Sequence, residues 1–336
     1  MVGASGVLLA SCAGDDAALD RDRGDTTTST TVAAPTSGEA SPPTTLAGSP
    51  TRALLDAVCT GAPEIVDVGA LDDGELTELS GLVSGRRDPS RWWAHNDSGD
   101  TARLFQLEAA GDGTVARVAT VELVDDRGDP IDARDWEDLA IGPPDTGDGA
   151  ATLYVGDIGD NAGVHPSIRV HRLAEPDPAD GETVRATPET LTLTYPDGAH
   201  DAEALLVDPL DGDLLVVTKD WSLGGASEVY RAPAGLDGGS TTELEHVASL
   251  PLPVGTLVTA ADVSPDGSVV AVRSYGAVAL YERPAGEPLW AAFATTPCDG
   301  PAPRERQGES LGFAADGASY VTVSEGDGSV LHRTTP

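Results

Sequence analysis

Lysine is almost missing from this 336-residue chain. Lys219 is the only one, and 20 Lys plus Arg stand against 56 Asp plus Glu, a formal net charge of -36. A field of that sign repels phosphate backbones and anionic lipid at long range, which excludes nucleic-acid binding. No apolar run approaches the roughly 20 residues of a membrane-spanning helix, so any membrane attachment runs through a lipid or a partner. No His/Cys pair has the spacing of zinc ligands. No nucleophile elbow supports a serine hydrolase, and Ser310 in Gly308-Glu309-Ser310-Leu311-Gly312 is not read as one. Aromatic residues are 4% of the chain, yet 40% is hydrophobic and 23% charged, enough for one large buried core or two small ones.

The three cysteines divide by context. Leu9-Ala10-Ser11-Cys12 ends the short apolar stretch Val2 to Ala10 and resembles the lipobox of bacterial lipoprotein signal peptides, although no Lys or Arg precedes the stretch. The resemblance implies a signal peptide over residues 1–12, acylation of Cys12 and a lipid-anchored position on the outer face of the cell membrane or in the envelope. Residues 13–57 are rich in Thr, Ser, Pro and Asp, as in Thr26-Thr27-Thr28-Ser29-Thr30-Thr31, and read as a disordered tether ahead of a domain at 58–336. Cys59 and Cys298 suggest one disulfide in an exported protein, whereas a cytosolic chain would keep them as free thiols.

From Glu64 onward one pattern recurs: a short strand with an acidic or small residue, a Pro/Asp/Gly turn, a strongly apolar strand, then a third strand. Ser80, Glu137, Glu203, Ala261 and Glu309 are read as equivalent positions, spaced by 57, 66, 58 and 48 residues. Turns such as Asp208-Pro209-Leu210-Asp211-Gly212 and Pro265-Asp266-Gly267 precede second strands such as Leu214 to Val217 and Val269 to Val272. Fourth strands are expected at Val115 to Leu123, Thr190 to Tyr195 and Leu244 to Leu250. The fold class is all-β, a single β-propeller of five blades, or six if a weak repeat has been merged, with two packed sandwiches as the other arrangement. Glu64 to Val68 is expected to close the ring by completing the fifth blade, with Cys59 before it and Cys298 before the fifth repeat stapling the closure.

In such a blade the start of the first strand and the end of the second meet at one end. Glu137, Glu203 and Glu309 then converge on a central channel, where close carboxylates need a cation, a proton or a basic partner between them. A hard cation with oxygen ligands, Ca²⁺ before Mg²⁺, is one solution, with Asp97 and Asp157 in glycine-containing, oxygen-rich loops as further ligands. The other is that Arg306, Arg273 and Lys219 neutralise the glutamates. Lys219 and Arg273 are candidate receivers of an anionic ligand group or counter-ions, and His95 and His200 flank the region as candidate ligand-binding residues. Trp136 and Trp221 lie near the same mouth, read as packing rather than as a sugar platform.

Asn96-Asp97-Ser98-Gly99, Asp135-Trp136-Glu137-Asp138-Leu139 and Gly156-Asp157-Ile158-Gly159-Asp160-Asn161 resemble segments of exported bacterial propellers grouped loosely with the SdiA-regulated and phytase-like proteins. That resemblance implies the propeller architecture and, through the phytase-like members, calcium held by channel carboxylates, here Glu137, Glu203, Glu309 and Asp157. Few basic residues stand near the mouth, which departs from a phosphatase pattern. The expectation is a monomeric, lipid-anchored domain whose acidic mouth binds Ca²⁺ and serves a small-molecule or protein ligand. The alternative is a metal-dependent hydrolase of the phytase-like phosphoesterase kind, using the same carboxylates.

Overall fold

The computed structural model describes residues 48–97, 99–145, 149–221 and 226–336; Cys12 with its lipobox and residues 13–47 of the expected tether lie outside them. The first element moves the expected domain boundary. Helix α1 (Pro50–Thr60) starts where Ser49 accepts the Arg52 N–H at 3.1 Å with Pro50 in the first turn, and stops at Gly61, whose φ of 72° an L side chain would resist. Leu54, Leu55 and Val58 make a buried stripe against Leu311, Phe313 and Tyr320. Residues 50–57 therefore belong to the folded body, a correction to the boundary at 57. The Thr/Pro-rich composition masked three apolar residues spaced for one helix face.

Apart from one 3₁₀ turn at Leu289–Ala294, the remaining regular structure is β. After β1 (Glu64–Leu71), four-strand antiparallel units follow one another. The first is β2 (Leu79–Ser84), β3 (Arg91–Asn96), β4 (Arg103–Ala109) and β5 (Thr114–Leu123). In the second, β6 (Trp136–Gly142), β7 (Thr152–Asp157) and β8 (Ile168–Ala174) are followed by β9 (Thr183–Ala186), which leaves the sheet, and β10 (Glu189–Thr194), which completes it. The third holds β11 (Ala202–Val207), β12 (Leu214–Thr218), β13 (Ala226–Ala232) and β15 (Glu245–Pro251), with β14 (Thr241–Glu243) set aside. The fourth is β16 (Val258–Val263), β17 (Val269–Ser274), β18 (Ala277–Glu282) and the short β19 (Cys298–Gly300). Then come β20 (Gly308–Phe313), β21 (Tyr320–Ser324) and β22 (Val330–Thr335). The strand β1 supplies the missing fourth member, antiparallel to β22 with Glu64 opposite Thr335 and Ala70 opposite Val330.

Three features were not legible in the pattern. The strands β9 and β14 lie parallel to β5 and β10 and cover outer edges that would otherwise offer free backbone groups. Two residue pairs, Ala70 with Thr114 and Leu71 with Val115, bring β1 against β5 and merge the first and last units into one nine-stranded sheet. Cys298 does precede the fifth unit, but it sits in a strand of its own, β19, the last member of the fourth sheet. Its disulfide to Cys59 therefore ties α1 to the fourth sheet and not to the closing strand.

The first strands of the units pack in a cycle: β2 on β6, β6 on β11, β11 on β16, β16 on β20, and β20 back on β2. An apolar cluster fills each gap between neighbouring units, for example Ala140, Tyr154, Val207 and Val216 between the second and third. First and second strands are buried along almost their whole length, which is why they read as apolar runs rather than alternating ones. Side chains also bond strand to strand around the cycle. Ser80 Oγ donates to the Glu137 carbonyl, Thr259 Oγ1 to the Gly308 carbonyl at 2.7 Å, and Ser310 Oγ to the carbonyls of Leu79 and Ser80. Asp138 accepts the Leu205 N–H at 2.9 Å, and Asp262 the Phe313 N–H at 2.6 Å. Ser310 is thus a bridging hydroxyl inside a strand, in keeping with its rejection as a nucleophile elbow.

Candidate metal centre

Each first strand carries a β-bulge at one place. The register against the second strand shifts between Leu79 and Leu82, Trp136 and Asp138, Ala202 and Ala204, Val258 and Ala260, and Gly308 and Ser310. The extra residues are Ser80, Glu137, Glu203, Thr259 and Glu309. A bulge breaks the alternation of a strand and re-aims one side chain, a recurrent device beside functional sites. In the fourth unit the equivalent position is Thr259, a correction to Ala261. Without the bulge visible, the acidic Asp262 drew the alignment two residues too far.

Three groups of carboxylates gather at this end, each with ligand oxygens within 4.8 Å of one another: Glu137 with Asp201 and Glu203, Asp97 with Asp135 and Glu137, and Asp97 with Glu309 and Glu325. Glu137 belongs to two groups and Asp97 to two, so the set is continuous. Asp135, Asp201 and Glu325 precede first strands or follow second strands; the sequence places them at this end without assigning them as ligands. The Gly159 backbone passes directly over the set, its N–H on the Asp135 carbonyl at 3.2 Å, and a β-carbon there would collide with the Glu137 and Asp135 carboxylates.

The basic residues are disposed differently from the expectation. The Lys219 ammonium lies 2.5 Å from Glu203 Oε1, both side chains 5% exposed, with the rings of Trp221 and Tyr275 5.0 and 5.3 Å away. It is a counter-ion for one glutamate. Arg273 is two register positions lower than Lys219's counterpart, Tyr275, and fully buried. Its guanidinium is bonded to Glu305 and to the carbonyls of Ser310 and Val323, so it does not face the carboxylates as an anion receiver. Arg306 makes no ion pair among the described residues, and none reaches Glu137, Asp135, Asp201, Glu309 or Glu325.

Three further candidates are occupied elsewhere. Asp157 is fully buried, pairs with Arg169 at 2.6 Å and accepts the Asp135 N–H at 2.9 Å; it supports the site from beneath and belongs to none of the three groups. His95, at the register position of Arg273, is fully buried with Nδ1 2.7 Å from the Asn96 carbonyl and its ring edge-on to Trp136. Burial pulls it down to about 4, so it is neutral at physiological pH. His200 turns away to Asp197 at 3.0 Å and the Tyr230 hydroxyl at 3.0 Å. Trp136 packs as expected, whereas Trp221 is more than half exposed.

Burial and mutual repulsion set the carboxyl chemistry. Burial, then the charges of Glu203, Asp97 and Asp135, raise Glu137 well above the ordinary range. Burial lifts Glu203 to about 8 even against Lys219, and burial with a hydrogen bond from Glu309 lifts Glu325 to about 9. Such a set holds protons at neutral pH or surrenders them to a cation. Among the described residues the three groups offer carboxylate oxygens alone, a donor set that suits a hard ion such as Ca²⁺ or Mg²⁺ over zinc or copper.

Asp138 and Asp262, buried among backbone N–H groups, were missed by the sequence reading. Each interrupts an apolar strand by one residue, a signal that a turn or an exposed edge would equally give. The chain matches no protein-family model and no curated protein sequence.

Proposed function

We propose that the domain is a five-bladed propeller whose acidic end holds a hard divalent cation, Ca²⁺ first, and presents it to a ligand. The cycle of five first strands, with an apolar cluster in each of five gaps, supports the propeller over packed sandwiches and over six blades. One observation carries the metal: the same bulge recurs in every first strand, and three of its five positions hold glutamates that meet Asp97, Asp135, Asp201 and Glu325. Turn-forming Asp residues explain none of the glutamates, which lie inside strands. The disulfide supports an oxidising compartment, and with the lipobox it supports a lipid-anchored, extracytoplasmic domain.

The phosphoesterase reading stands second. A phosphate substrate needs cationic groups beside the metal, and Lys219 and Arg273 are both engaged by carboxylates. Metal analysis of purified protein and calorimetric titration with Ca²⁺ test the proposal. One or more ions bind, melting rises by several degrees over the chelated protein, and Glu137→Gln or Glu203→Gln loses most of the rise. Absence of bound metal with identical melting in Ca²⁺ and chelator would refute it. Turnover of phosphate esters that needs Ca²⁺ and vanishes in Glu203→Gln would promote the hydrolase.

A further inference from the structure

Of the six large apolar side chains exposed among the described residues, three stand in loops at the acidic end; Ile65, Val66 and Leu210 lie elsewhere. Val164 in the loop after β7, Trp221 in the loop after β12 and Val254 in the loop before β16 are 67%, 54% and 77% exposed. Water-facing indole is costly, and here it is held in place: its N–H donates to Asp201 Oδ2 at 2.8 Å, and Asp201 is one of the cation-site carboxylates. The loop carrying Val254 walls a cavity of about 210 Å³ whose apolar lining includes Pro251, Leu252, Val258 and Tyr281. Apolar side chains around a charged centre are the anatomy of a docking surface rather than of a bare ion site.

The charge identifies the occupant. The protein carries -36, and the centre of this surface is a group of carboxylates with one lysine among them. That lysine shows how the end receives an alkylammonium, with the charged head on Glu203 and the aromatic faces of Trp221 and Tyr275 beside it. We propose that this end docks a basic peptide segment of a partner protein. A Lys or Arg side chain enters toward Asp201 and Glu137, its methylene stem lies on Trp221, and neighbouring residues rest on Val164 and Val254. The inference rests on the reading of the carboxylates as a cation site, and a divalent ion competes for the same oxygens.

The test uses the full chain and a fluorescein-labelled octapeptide of alternating Lys and Ala, followed by anisotropy in chelator, with a Glu-for-Lys peptide as control. The Lys peptide binds and the Glu peptide does not, millimolar Ca²⁺ displaces it, and Trp221→Ala weakens it at least fivefold. Trp221 is more than half exposed, and an unchanged melting curve and Ca²⁺ titration of Trp221→Ala check that neither the fold nor the carboxylates are disturbed. Asp316→Asn, which removes a charge from the exposed turn at the opposite end, has no such effect. Equal weakening by Asp316→Asn and Asp201→Asn, or none by Trp221→Ala, would mean that the peptide senses only total charge and would overturn the inference. Calorimetry with Ca²⁺ alone separates the two readings. Normal Ca²⁺ binding without peptide binding rejects the docking surface only, and loss of both rejects the cation site with it.

Discussion

At the scale of single residues, two substitutions report on the proposed metal centre in opposite directions. Gly159→Ala places a methyl group against the Glu137 and Asp135 carboxylates. Because those atoms are the free ends of side chains, they yield more readily than backbone would, and the loss falls on ion geometry. The expected result is a Ca²⁺ affinity at least tenfold weaker by calorimetry, with melting in chelator within a degree or two of the parent. A large loss of melting with unchanged affinity would show that Gly159 serves the fold alone. Lys219→Met acts the other way. The ammonium holds Glu203 and repels any second cation; unit charges 4 Å apart interact by about 4 kcal/mol at an effective dielectric of 20. Removing it frees a ligand oxygen and a competitor together, so Ca²⁺ binds at least tenfold more tightly. The chelated protein loses about 3 kcal/mol, because one partner of a buried pair is left alone. Weaker Ca²⁺ binding in that variant would instead favour Lys219 as part of a ligand-holding constellation.

At the scale of the element, the first strands carry both the fold and the site, and they show where sequence reading succeeds. Strand existence, order and the closing role expected of Glu64 to Val68 follow from apolar runs separated by Asp/Pro/Gly turns, because a fully buried strand must be apolar and its turn must not be. The bulge leaves no such mark. One inserted residue costs nothing in composition, so Thr259 was read as Ala261 while Glu137, Glu203 and Glu309 were found by their charge. Asp157 and His95 carried the residue types of a site, yet Arg169 and the Asn96 carbonyl claim them, and pairing over such distances is set by packing. Asp262 gives the strand a pH signature. Burial raises its carboxyl to about 6, from an ordinary value of 3.8, against the Phe313 and Val263 N–H groups and the charge of Arg86. A raised carboxyl binds its proton more tightly when folded, so its stabilising contribution is complete below pH 3.8 and is lost as pH climbs through 6. The loss is roughly 3 kcal/mol for that single group. Urea titrations at pH 4 and pH 7 should show the parent losing about that much more stability than Asp262→Asn. Parallel behaviour would mean that Asp262 is ionised throughout.

At the scale of the whole molecule, a net charge of -36 acts on folding and on binding together, and salt separates the two. Self-repulsion opposes the compact state and is screened as the Debye length falls from about 10 Å at 0.1 M to about 3 Å at 1 M. The chelated protein should therefore melt at a higher temperature as NaCl rises. The same field draws Ca²⁺ toward the surface, and its screening should weaken the apparent affinity about tenfold between 0.05 and 0.5 M NaCl. Binding that came only from a diffuse cation atmosphere would disappear over that range. Buried carboxylates are not reached by the ionic atmosphere: Glu137 is 3% exposed, and its neighbours Glu203 and Glu309 are buried with it. The contact part of the interaction consequently survives, and saturating Ca²⁺ should still raise melting in 1 M NaCl by more than half of its low-salt increment. Complete loss of that increment at high salt would assign calcium stabilisation to the acidic surface as a whole and remove the local site from the account.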